Sequence, residues 1–240
     1  MTERSRRLHV SVLNGAAALF AVLFAAAASA YPGGTHFDHS SVGHDFWRNT
    51  LCDVARTVAL DGRPNMVACT LARVAMTTLA FGLGALFMVL PELFAAERRA
   101  ARTIRVLGAA TVPAAVAVVL LPTDRFGTLH GLAIVVAGTL GLGATILVMK
   151  GVWADARTPR LIVVLGTLAL GFGAADFGLY VRELALGGPA QVAVAVLERL
   201  ATILVLLWMV AAAHALRASS RGNAAPGEPG PRSPARMPIP

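Results

Sequence analysis

The sequence predicts an all-α polytopic membrane protein: six transmembrane helices, with one amphipathic interfacial helix in the first outer loop. Hydrophobic residues make up 56% of the 240 positions and charged residues only 14%, whereas a soluble domain carries roughly a quarter charged residues. Six apolar runs, at about 10–30, 66–91, 103–122, 127–149, 161–181 and 192–216, each approach or exceed the length a helix needs to cross the hydrocarbon, about 20 residues. Most of the arginines stand at the ends of those runs.

Backbone polar groups cannot stay unpaired in lipid, so each run must be helical. The formal charge of +8 does not indicate a nucleic-acid partner, because such a domain gathers its charge on a folded polar face. Here the charge reports topology. With six spans, one side holds Arg4, Arg6, Arg7, Arg98, Arg99, Arg102, Arg105, Lys150, Arg157, Arg160, Arg217, Arg221, Arg232 and Arg236. The other holds only Arg48, Arg56, Arg63, Arg125 and Arg182. Positive charge collects inside, so both termini are expected in the cytoplasm, in a multi-pass protein of the cell membrane.

The first run has a second reading. Arg6-Arg7, an apolar stretch and Ala28-Ser29-Ala30 follow the layout of a cleavable signal peptide. The stretch from Val10 to Ala28 is longer than a usual signal core, so a retained span is the expectation and cleavage the alternative.

Residues 31–65 form the one sizeable outer loop. Tyr31-Pro32-Gly33-Gly34 marks a turn. Trp47, Leu51, Val54 and Val58 then recur at helical spacing, which predicts a helix near 45–59 lying on the outer leaflet with Trp47, Leu51 and Val54 toward the membrane. Asp61-Gly62-Arg63-Pro64 ends it, and Asn65 is placed to cap the second span. Cys52 and Cys69, the only cysteines, both fall on the oxidising side; a disulfide between them is one alternative and free thiols the other.

Between the third and fourth runs, "LLPTDRFGTLHG" places Asp124, Arg125 and His130 just as the hydrophobic run resumes. Thr123 to Phe126 are expected to turn and Thr128 to cap the fourth helix. Small residues at Gly127/Gly131, Gly138/Gly141 and Ala174/Gly178 offer faces for close helix approach. The transmembrane domain is expected over 1–217. The tail, 218–240, is rich in Pro, Gly, Ser and Arg and is expected to be disordered in the cytoplasm.

A charge inside a span is costly unless paired or wet. Counted at about 1.5 Å per residue, Arg73, His130, Asp176, Glu198 and Arg199 all fall in the outer half of the bilayer. With Asp53 and Asp124 they make the candidate ligand pocket. One reading is mutual neutralisation, with Arg73 and Arg199 each paired to Asp176, Glu198 or Asp53; the other is an outward-facing pocket for a polar or lipid-like ligand. His36, His39 and His44, with Asp38 and Asp45 nearby, are the metal-ligand candidates, on a pattern of low specificity. No cofactor is expected. Membrane lipids, and a small-molecule or lipid ligand, are the expected partners; the oligomeric state is left open.

The stretches "YPGG", "NTLCDVARTVALDGRPN" and "LLPTDRFGTLHG" resemble the bacterial six-span proteins of domain-of-unknown-function family 998. In that pattern Leu51, Cys52, Asp53, Val54 and Ala55 stand where the family shows a hydrophobic–Ser–acidic–Leu–Gly stretch. Pro122, Asp124 and His130 stand in its Pro-x-Asp…His element. Cys52 replaces the usual serine and Ala55 the usual glycine. The resemblance covers roughly residues 10–150 and implies a six-helix fold, with no substrate attached. From the polar pocket, function is read as binding or moving a ligand, with the balance against an enzyme and that question left open. The alternatives are a membrane-embedded hydrolase, with or without a metal, using Asp124 and His130, and an assembly protein with no ligand.

Overall fold

A computed structural model describes residues 3–187 and 191–222. It contains α1 (Glu3–Ala30), α2 (Leu51–Val54), α3 (Met66–Val89), α4 (Arg98–Leu120), α5 (Thr123–Ala154), α6 (Arg160–Leu186) and α7 (Val192–Gly222), with a short 3-10 turn at Leu90–Glu92. Six of these helices are long and apolar enough to cross a membrane, and no named strand occurs among the described residues. The protein is a multi-pass membrane protein. Helices α1, α4 and α7 start or end beyond their apolar runs because the flanking arginine-containing turns are helical too. The stretch expected as tail is helical as far as Gly222; the rest of it, 223–240, lies outside the described residues.

Each long helix packs on its neighbours in the chain, and α7 closes the ring against α1. The start of α1 and the end of α7 lie at one end of the ring and loop one (31–65) caps the other. Leu19, Val22, Phe81, Ile146, Val164 and Leu207 face outward and exposed, as a lipid-facing belt requires.

The interior is unequal along its length. At the terminal end all six helices meet in one core, with Leu13, Leu86, Ile104, Met149, Ile162 and Trp208 almost fully buried. Close approach there relies on missing side chains: a Cβ on Gly166 would crowd the Trp208 ring and the Met149 sulfur. At the loop-one end the apolar core is narrower. Its buried residues come from α1, α3 and the loop, Phe20, Phe24, Tyr31, Leu51, Val54 and Ala72 among them, with Leu206 of α7 packed against them. The loop-one ends of α5, α6 and α7 are left to line a cavity.

Of the small-residue faces, Gly138 lies against the Phe177 ring of α6, and Gly131 lies against Tyr180 and Leu184. Gly127 has another use. Its φ of 32° and ψ of −97° break α5 after one turn, so helix begins at Thr123, within the segment expected to be a plain turn, and resumes beyond the break. The long part of the helix starts past Gly127, where Thr128 is expected to mark it, while Pro122 occupies the N-cap position of the one-turn segment before the break.

Candidate functional site

Loop one folds as a hydrogen-bonded cap. Its helix is present but only one turn long, Leu51–Val54, shorter than the 45–59 expected. Side chains of the polar residues end the regular pattern. Asp45 Oδ1 accepts from the Trp47 and Arg48 amides at 2.9 and 3.1 Å, and Asn49 Oδ1 accepts from the Asp45 amide at 2.9 Å. Thr50 and Asp53 then form a capping box that starts the helix afresh. Leu51 and Val54 consequently face the narrow core rather than lipid, while Trp47 stays half-exposed. Asn65 precedes α3 but does not cap it with its side chain; its Nδ2 instead donates to the Val54 and Arg56 carbonyls, both at 2.9 Å.

Two side chains and a glycine also hold the loop's fold. The Tyr31 hydroxyl accepts from the Leu60 amide at 3.1 Å, and burial pushes its pKa up to about 12. Asn49 Nδ2 donates to the Gly34 carbonyl at 2.9 Å. The bend at Gly34 has φ 85°, and a Cβ there would press into Leu60 and Asp61. Only glycine suits it.

The helices grip this cap through residues the sequence had marked as buried charges. Arg199, only 3% exposed, donates to the Asn49 carbonyl at 2.8 Å, the Phe46 carbonyl at 3.2 Å and His44 Nε2 at 3.3 Å. Its guanidinium also lies over the Phe24 and Phe46 rings, 5.0 and 5.4 Å from their centroids. Glu198 Oε2 accepts from the Leu51 amide at 2.7 Å. From α5, Asp124 accepts from the Thr57 and Val58 amides and from the Thr57 hydroxyl. From α3, Cys69 Sγ donates to the Ala55 carbonyl at 3.2 Å.

The expected pairing of arginines with carboxylates is thus corrected. Arg199 spends its donors on loop carbonyls and a neutral imidazole, which it reaches because the loop dips between α1 and α7. Arg73 lies one turn beyond Cys69 on α3, with Nε and Nη2 buried and unbonded. Neither arginine lines the cavity. The cysteines are free thiols; burial, then Glu198, pushes Cys52 well above its ordinary value.

The three loop histidines take three separate partners. His36 Nε2 meets Asp53 Oδ1 at 3.0 Å, His39 Nδ1 meets the Leu60 carbonyl at 2.7 Å, and His44 meets Arg199. Among the described residues no three His, Cys, Asp or Glu side chains converge as a metal would need. The Asp53 bond raises His36 above its ordinary pKa. Burial alone would raise Asp53, yet His36 and the Thr50 amide hold it below the usual carboxylate range. Burial, then Arg199, pushes His44 down to about 4.

Beneath the cap, between α5, α6 and α7, lies a cavity of about 250 Å³. Asp53, His130, Asp176 and Glu198 line it, so four of the seven candidate pocket residues come together. Sequence reasoning missed Cys52, Tyr180 and Glu183, which also line it; Glu183 falls just past the apolar run of α6, where a charge is unremarkable. His130 Nδ1 donates to the Leu121 carbonyl at 2.6 Å, which fixes the ring by the break after α4. Asp176 Oδ1 is buried without a partner. Asp124 is engaged by Thr57 and Val58 rather than by His130, so these two do not form a hydrogen-bonded acid–base couple.

No family model, no curated protein and no solved structure matches the chain.

Proposed function

We propose that the protein is a binding module of the cell membrane, its loop-one end outside and both termini in the cytoplasm, that holds a polar or lipid-like ligand in the cavity under the cap. The observation carrying this reading is the cavity itself: carboxylates buried among helix ends, roofed by a loop that Arg199, Glu198 and Asp124 pin from two different helices. Ligand sites are concave, mostly apolar, and carry a few converging polar groups. The distribution of arginines supports the orientation. Binding is favoured over hydrolysis because Asp124 and His130 are each committed to backbone or loop partners.

Two measurements test it. A reporter fused after Arg217 is expected to be active in the cytoplasm, with residues 35–60 modified by impermeant reagents from outside; the reverse pattern overturns the orientation. Mass spectrometry of the purified protein is expected to find a co-purifying small molecule or lipid that Asp176→Asn removes while the protein still folds. A wild-type protein that carries none and binds none overturns the ligand reading.

A further inference from the structure

A second cavity, of about 270 Å³, adjoins the first and is lined by α3, α4, α5 and α6. Met76, Leu79, Leu83, Val118 and Leu142 line it, from α3, α4 and α5. Its one ionisable lining residue is Asp176. The two cavities share Ile134, Asp176 and Phe177, so they are contiguous, and Asp176 stands at their junction with Oδ1 buried and unbonded.

The chambers differ in chemistry as the two ends of an amphiphile do. The upper one carries Asp53, Asp176, Glu183 and Glu198 against Arg48, His36 and His130. The excess is acidic, and Phe37, Phe177 and Tyr180 add aromatic surface of the kind that attracts an organic cation. Carboxylates and rings together suit an ammonium group and repel a phosphate or sulfate. The lower chamber offers only hydrocarbon apart from Asp176. At about 30 Å³ for each water-sized group, it holds on the order of eight or nine carbons.

We propose that the two chambers are one site for a single-chain amphiphile, its ammonium headgroup among the carboxylates and its alkyl chain in the apolar chamber. This rests on the reading of the upper cavity as a ligand site and names the ligand class. Asp176 is the selecting residue: it contacts the headgroup where the tail begins.

The full chain, in maltoside detergent, is titrated calorimetrically with octyltrimethylammonium, tetramethylammonium and octyl sulfate. Octyltrimethylammonium should bind saturably, tetramethylammonium about a hundredfold more weakly for want of the buried chain, and octyl sulfate not at all. Asp176→Asn should weaken octyltrimethylammonium by about tenfold or more. Should that variant fail to fold, Glu183→Gln at the same chamber serves in its place. Ala137→Leu, which fills the lower chamber, should weaken the octyl probe and leave tetramethylammonium unchanged. Octyl sulfate binding as well as the ammonium overturns the ammonium headgroup, and affinity independent of the chain overturns the buried tail; either leaves a ligand site under the cap. Binding of none of the three overturns both.

Discussion

The Arg199 guanidinium donates to the Asn49 carbonyl at 2.8 Å, joining α7 to a loop residue 150 positions earlier in the chain. Both residues are buried, and the bond belongs to a fork that also takes Phe46 and His44. Hydrogen bonds from a charged donor are worth about 1.5–3 kcal/mol each, and acceptors left buried without them carry a penalty.

Arg199→Met should therefore lower stability by about 2–4 kcal/mol and release the cap. In a Cys69→Ala background, Cys52 then becomes the reporter: its maleimide labelling, slow while the half-buried thiol sits under the cap with its pKa raised, should accelerate. Arg199→Lys, with charge but no planar fork, should fall between. Unchanged labelling in Arg199→Met would show that the cap is held by other means.

Acid should loosen the same fork. The folded cap holds His44 neutral, with its pKa pushed down to about 4. A histidine depressed this way gives its full stabilisation above the ordinary value of about 6.5 and loses it as pH falls from there toward about 4. The thermal midpoint should drop across that interval, and His44→Gln should flatten the drop. His36 acts in the opposite sense, because Asp53 raises it: its contribution is full below about 6.5 and fades as pH climbs through the raised value. His36→Gln should remove only that alkaline loss. A His44→Gln profile parallel to wild type over the acid interval would refute the assignment.

Asp124 tethers the other edge of the cap through Thr57 and Val58. Asp124→Ala should cost about 1–3 kcal/mol by leaving those donors unsatisfied, with new proteolytic cleavage near Arg56. Asp124→Asn keeps an acceptor and should cost less. Equal loss in both variants would mean that the charge, not the bond, holds the edge.

Gly34→Ala tests the turn beneath the cap. Its φ of 85° disfavours any side chain, and the new Cβ would approach Leu60 Cβ to 2.8 Å. A loss of about 1–3 kcal/mol is expected, seen as a lower thermal midpoint; Gly62→Ala, positive in φ but open around its Cβ, should lose less.

Run length and polarity suffice to read the six spans, because a span must satisfy its own backbone and face lipid. The clustering of His130, Asp176 and Glu198 at one end of the ring was equally readable, since depth follows from counting residues. Partners were not. Arg199 chose the carbonyls of Asn49 and Phe46, and carbonyls have no letter in a sequence. Arg73 shows the converse: it is placed at the same depth, yet its Nε and Nη2 are buried without a partner among the described residues, because depth does not fix rotation about the helix. The 45–59 stretch had a helical period, but period states only which side chains would align if the backbone were helical. Asp45, Asn49 and Thr50 offered that backbone competing side-chain acceptors, and turns won.

The unequal interior has a mechanical consequence. A bundle locked by six helices at one end and by three elements at the other behaves as a clothes-peg with its spring at the terminal end. Tilting of α5, α6 or α7 pivots about Met149, Ile162 and Trp208 and grows with distance from them, so the cap end gapes first. Anything held below the cap can leave the way it came without disturbing that spring. Passage to the far side would require prising apart the tightest-packed part of the molecule. The architecture is that of a cup with one rim.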